Sequence, residues 1–230
     1  MKIEIAGEVV HLLPERALYW PRTRSLILAD LHIGKADVFR ARGIPIPAGS
    51  SAQTLSRLDQ ALAKVEGVCG TPAAQIIALG DFFHAKESLN DASLRSLKLW
   101  RASHSQVDVI IVEGNHDKHA GTRTLAALLN IEIVKEPFSI SPFAFAHHPP
   151  ECESPTSYTL YGHIHPCTVL RSSVDRLRVP CFSFGVLSGV LPAFGAFTGG
   201  HVISPAIDEA VYAIAHTKIV KVTKAQNWRF

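Results

Sequence analysis

Apolar runs that break on metal-binding side chains constrain this chain more than any other feature. Leu26-Ile27-Leu28-Ala29 leads straight into Asp30-Leu31-His32. Side chains of a strand alternate between faces, so residues two apart share a side. Asp30 and His32 are therefore expected to converge just past the strand's end, which is where open α/β sheets bind ligands. A carboxylate and an imidazole aimed together suit a divalent transition metal. A lone D-x-H is a weak signal, but four later strands repeat it. Gln75–Leu79 ends in Gly80-Asp81, and 107–112 in Glu113-Gly114-Asn115-His116-Asp117. The run 143–146 ends in His147-His148-Pro149-Pro150, and Tyr158–Tyr161 in Gly162-His163-Ile164-His165.

The rest of the chain supplies a scaffold. Lys2–Ile5 and Glu8–Leu13 flank Ala6-Gly7 as a hairpin, and 16–20 is a further extended piece broken by Pro21. Leu55, Leu58, Leu62 and Val65 form a helical stripe over 50–65, and Leu94, Leu97 and Trp100 another over 89–103. A short helix is expected at 122–129 and a strand at 131–134. Between Asp30 and the first helix lies a basic stretch with Lys35, Arg40 and Arg42, followed by the loop-forming Pro45 and Pro47. Short strands joined by Gly and Pro turns are expected at 178–184, 201–204, Ala210–Ala215 and Lys218–Val222.

Composition sets the class. The 230 residues are 47% hydrophobic and 19% charged, which fits one globular domain over 1–230 and excludes a disordered chain. No apolar run is long enough to span a bilayer, and the start lacks the pattern of a secretory signal. The four cysteines contain no C-x-x-C pair and read as free thiols. A cytoplasmic protein without a membrane partner is the expectation. The net charge of +3 mildly favours an anionic partner without identifying one.

Asp30, His32, Asp81, Asn115, His147, His163 and His165 are too many ligands for one tetrahedral zinc. They suit two cations sharing a carboxylate, and mixed nitrogen and oxygen donors without thiolate fit Mn²⁺, Fe²⁺, Co²⁺ or Zn²⁺. Such a centre attracts phosphate oxygens, and a water activated there becomes a nucleophile near neutral pH.

The ordered series Asp30-x-His32, Gly80-Asp81, Gly114-Asn115-His116-Asp117, His147 and Gly162-His163-x-His165 resembles the calcineurin-like metallophosphoesterases. The resemblance implies a four-layer α-β-β-α sandwich of two packed mixed sheets with helices outside. It implies Asp30, His32 and His165 on one metal, Asn115, His147 and His163 on the other, and Asp81 between them. His116 would face the phosphate and Asp117 would orient it.

A narrower set of motifs spans nearly the whole chain. It comprises Asp30-Leu31-His32-Ile33-Gly34-Lys35, Phe39-Arg40, Gly43-Ile44-Pro45-Ile46-Pro47, Gly80-Asp81-Phe82-Phe83-His84, Gly162-His163-Ile164-His165-Pro166, Leu191-Pro192-Ala193-Phe194-Gly195 and Thr198-Gly199-Gly200. These resemble bacterial metallophosphoesterases associated with a DNA ligase and a helicase in DNA-damage-response gene clusters. That implies a manganese-dependent endonuclease on single-stranded DNA, with the helicase and ligase as partners by resemblance alone.

Bland readings stand beside these. Lone histidines are usually core or surface residues, which is how His11, His104, His201 and His216 are read. Lys35, Arg40 and Arg42 are either solvated surface or phosphate contacts. His84, His119 and His148 are candidate substrate contacts, with His147 preferred over His148 as ligand. Phe82 and Phe83 fit core packing better than base stacking. A small-molecule phosphodiesterase, a phosphomonoesterase (on a cyclic nucleotide or similar) and an inactive scaffold are the alternative functions.

Overall fold

The computed structural model describes residues 1–46, 49–84, 90–118, 120–152, 156–171 and 175–222. The first sheet runs in the order β1 to β7. β1 (Lys2–Ile5), β2 (Glu8–Leu13), β3 (Ala17–Trp20) and β4 (Ser25–Leu28) are successively antiparallel. β5 (Gln75–Leu79), β6 (Asp108–Val112) and β7 (Glu132–Val134) continue parallel to β4. Parallel neighbours need crossovers, which α2 (Ser50–Cys69), α3 (Asp91–Ser103) and α4 (Ala120–Leu128) provide. β4 is buried on both faces, and so is β5 beyond Gln75. That is why these strands read as continuous apolar runs instead of alternating ones.

Strand alternation divides those runs between two cores. Leu26, Leu28, Ile76, Ala78, Val109 and Ile111 pack on Leu55, Leu58, Ala61 and Val65 of α2, Leu97 and Trp100 of α3, and Ala126 of α4. Ile27, Ile77, Leu79 and Val112 face the second sheet. α2 ends on Gly70, whose left-handed φ of 70° turns its amide back to the Glu66 carbonyl. Asn90 caps α3 through the Ser93 amide at 2.8 Å, and the Trp100 indole donates to Asp59 on α2 at 2.7 Å.

The second sheet is β14-β11-β12-β13-β10-β9-β8, with the β15–β16 hairpin along β12. Its strands are β8 (Phe138–Ile140), β9 (Phe143–Phe145), β10 (Tyr158–Tyr161), β11 (Pro166–Arg171), β12 (Arg176–Phe184), β13 (Ser188–Val190), β14 (His201–Val202), β15 (Ala210–Ala215) and β16 (Lys218–Val222). Phe143, Phe145, Tyr158, Leu160, Phe182, Phe184 and Tyr212 fill the space between the sheets, and Trp20 meets Phe143 edge-on at 4.8 Å. The expected pair of packed mixed sheets flanked by helices is present. Among the described residues all α-helices precede β7 in the chain, and α2, α3 and α4 line the first sheet.

Two departures from the sequence reading have local causes. Lys35–Ala41 forms a helix, α1, although seven residues before a proline-rich loop carry too little periodicity to announce one. β8, β11 and β13 are short strands that exist because a neighbour pairs with them, not because of any strong pattern of their own. No helix of the described residues is long and apolar enough to cross a membrane.

Ile77 is fully buried between the sheets, whereas Leu99 on α3 is 64% exposed. Ile77→Ala should lose about 2–5 kcal/mol in urea unfolding. Leu99→Ala should stay within about 0.5 kcal/mol of the parent.

Candidate metal centre

The loops that leave β4, β5, β6, β9 and β10 meet at one edge between the sheets. For five of the candidate ligands convergence does not come from pleated strand geometry. Asp30 and His32 lie beyond the end of β4 with φ of 55° and 48°; Asp81, His163 and His165 likewise take 49°, 67° and 53°. Left-handed backbone at a non-glycine residue costs about 1–3 kcal/mol, so the surroundings must impose it. The Asp30 amide donates to Gly80 O, His32 to Asp81 O and Ile33 to Phe82 O, so two loops pair past their strands. Phe194 and Gly195 amides donate to Ala29 O and Asp30 O from the other side. Arg16 grips the carbonyls of Ala193 and Gly195, and Arg57 that of Phe194.

Asp81 sits at the middle. Its Oδ2 is 3.7 Å from His32 Nε2 and 3.9 Å from His116 Nε2, while its Oδ1 is 3.6 Å from His147 Nε2. Asp30 Oδ1 lies 3.5 Å from His165 Nε2 and 3.8 Å from His147 Nδ1. Asn115 Oδ1 is 2.8 Å and His163 Nδ1 3.0 Å from His147 Nε2. Asp30, His32 and His165 can each place one ligand atom within 4.8 Å of the others.

The donor set fits cations. The Leu79 carbonyl can only accept, so His147 Nδ1, 3.1 Å away, carries the proton. Its Nε2 is then a lone pair, and it faces two further electron-rich atoms, Asn115 Oδ1 and Asp81 Oδ1. Asp30 Oδ1 is buried and accepts no hydrogen bond among the described residues. Orphaned acceptors are costly in a buried site unless a positive charge lies among them. Burial drives the His32 imidazolium down to a pKa of about 2, helped by Lys35, His165, His116 and His84, so the ring is a neutral ligand. His163 is lowered by burial and by His147 and His148.

His116 donates its backbone amide to Asp81 Oδ1 at 2.9 Å, and its Nδ1 lies 2.7 Å from His84 O. A carbonyl again fixes the proton on Nδ1, leaving Nε2 toward Asp81. Among the described residues the Asp117 carboxylate makes no hydrogen bond to this ring. This buried carboxylate accepts from the amides of Phe82, Phe83 and Gly114, tying two loops together. Burial raises its pKa to about 6 against the pull of those amides.

The candidate substrate contacts separate. Lys35 is half-buried; burial lowers its pKa, and Asp81 and Asp30 oppose that. Arg40 is engaged by Asp37. His84 stacks on His116 at 4.7 Å and lies 5.5 Å from His32, and burial with His116, Lys35 and Arg42 takes its pKa to about 4. Phe82 and Phe83 are core residues. His148 Nδ1 lies 2.7 Å from Glu136 Oε1, and the ring can also place a ligand atom within 4.8 Å of those of His147 and His163. His119 lies outside the described residues.

Three residues escaped the sequence reading. Glu136 accepts the amides of His147 and His148 as well as the His148 ring. Arg16 and Arg57 hold the 193–195 segment. Nothing in a lone Glu before proline or an Arg inside a helix marks such a role; it arises from contacts more than a hundred residues apart in the two arginines.

Comparison with known proteins bears on this centre. Residues 23–180 match the sequence profile of the family described as calcineurin-like phosphoesterase. The chain is similar to the nuclease MPE of Pseudomonas putida, with 38% identity and a TM-score of 0.80 over 96% of this chain and 99% of that one. It also resembles AQ665 of Aquifex aeolicus, a protein of unknown function, at 18% identity and a TM-score of 0.39 over 61% of this chain and 78% of that one. No curated protein sequence matches the chain.

Gly80 has φ 74°, and a Cβ there would lie 2.2 Å from His147 Nδ1. Gly80→Ala should displace that ring and weaken Mn²⁺ binding at least about tenfold, the scale on which misplaced ligand supports act. Isothermal titration measures this, with circular dichroism checking that the fold persists.

Proposed function

The chain belongs to the calcineurin-like phosphoesterase family, and on that footing we propose a binuclear-metal phosphodiesterase that cuts single-stranded DNA internally. The observation that carries the reading is Asp81, whose two oxygens face different ligand groups. Asp30, His32 and His165 would hold one cation and Asn115, His147 and His163 the other, with Asp81 shared. Cations held there would offer positive charge to the phosphoryl oxygens and lower the pKa of a nearby water. Manganese suits these donors, and iron and zinc share the same chemistry.

The chain's own groups do the rest. His116 Nε2 faces the centre with its other nitrogen held by the His84 carbonyl. It is placed to neutralise charge on the phosphoryl group or to protonate the departing oxygen. Asp117 acts at one remove, by fixing the loop that carries Asn115 and His116. Lys35 adds a cation beside the two aspartates. The nuclease neighbour supports a nucleic-acid substrate. The single-strand preference, a role in DNA repair in the cytoplasm, and association with a helicase and a ligase rest on the motif resemblance.

Closed circular single-stranded DNA has no ends, so its loss with Mn²⁺ reports internal cleavage. Wild type should linearise the circle, and Asp81→Ala should show no turnover. His116→Gln should be slower by roughly 10²–10⁴. Turnover retained by Asp81→Ala would refute the centre. An intact circle beside rapid hydrolysis of small phosphate esters would refute the DNA substrate alone.

A further inference from the structure

Strand alternation along β9 has a second consequence. Phe143, Phe145 and His147 point inward, to the core and the metal centre, so Ala144, Ala146 and His148 face the other way. With Ser139 of β8 and Thr159 of β10, these small residues floor a cavity of about 650 Å³ on the outer face of the second sheet. Pro149, Pro150 and Cys152 line its loop side. His148 belongs to both places. Its ring lines the cavity, yet it can place a nitrogen within 4.8 Å of ligand atoms of His147 and His163. The cavity therefore opens one side chain away from the candidate metal ligands.

We propose that this cavity receives the nucleobase adjoining the scissile phosphate, with His148, fixed by Glu136, as the wall between base and metals. The inference rests on the nuclease reading and deepens it. The volume is that of a small-molecule pocket. Among the described residues no lysine or arginine lines it, while Glu136 and Glu151 do, so it repels a phosphate and accepts an uncharged ring. Alanine and proline offer flat apolar walls to the faces of a base, and the hydroxyls of Ser139, Ser157 and Thr159 offer partners to its edge. Phosphates have their own side of the centre, where Lys35 stands. A base can enter such a cavity only when it is out of a duplex stack. A base seated there therefore requires an unpaired strand.

Cys152 is an exposed thiol on the cavity, whereas Cys69 is partly buried and Cys167 and Cys181 are buried. The Mn²⁺-loaded protein is alkylated with a maleimide alone, with a cleavage-resistant phosphorothioate oligonucleotide, or with the abasic version of the same backbone. Ser139, an exposed residue of the lining, is separately changed to Trp to plug the cavity. The base-bearing strand should slow Cys152 alkylation at least about fivefold and the abasic strand should not. Ser139→Trp should cut kcat/KM for a single-stranded oligonucleotide about tenfold more than for bis(p-nitrophenyl) phosphate, the scale of one lost base contact. Equal alkylation in all three conditions, or an equal effect of Ser139→Trp on both substrates, would overturn the inference while DNA cleavage by wild type keeps the nuclease reading. Absence of DNA cleavage by wild type would overturn both.

Discussion

Five side chains converge on the centre from backbone that turns left-handed, at Asp30, His32, Asp81, His163 and His165. No strand or helix would choose that conformation for an aspartate or histidine. It persists because the loops are tied to one another. Backbone bonds link the Asp30 and Asp81 loops, Asp117 clamps the loops after β5 and β6, and the 193–195 segment supports Asp30 from behind. The parallel register of β4, β5 and β6 then brings three of the loops to one edge. Packing of the aromatic face of the second sheet brings the other two. The centre is thus a property of how two sheets meet, although its ligands belong to short motifs.

The repulsion concentrated there is the complement of that rigidity. Asp30 Oδ1 is buried without a hydrogen bond among the described residues, and His147 Nε2 is crowded by the oxygens of Asn115 and Asp81. A cation converts the same contacts from a liability into coordination. Buried imidazoles held neutral, such as His32, complete a set of donors ready to bind without first losing a proton.

Much of this was legible in the sequence because each ligand follows a strand whose burial forces an apolar run. β1, β2, β5, β10, β15 and β16 have the boundaries their residues suggest. Phe143 and Phe145 of β9 point inward, and His147, two residues past the strand's end, reaches the Leu79 carbonyl from the same side. What could not be read was conformational or long-range. Motif spacing gives the convergence of Asp30 and His32 but not its left-handed route. Arg16, Arg57 and Glu136 work through partners distant in sequence, and α1 is too short to leave a periodic trace. The contacts of Asp117 were likewise invisible in the motif, because its carboxylate accepts from three buried amides on two different loops.

The shared role of Asp81 is the claim on which the catalytic reading stands. The most direct test is the anomalous diffraction of Mn²⁺ in crystals of this protein. Two peaks are expected, both beside Asp81, the first among Asp30, His32 and His165 and the second among Asn115, His147 and His163. A single peak, or ions that leave Asp81 uncoordinated, would contradict the account.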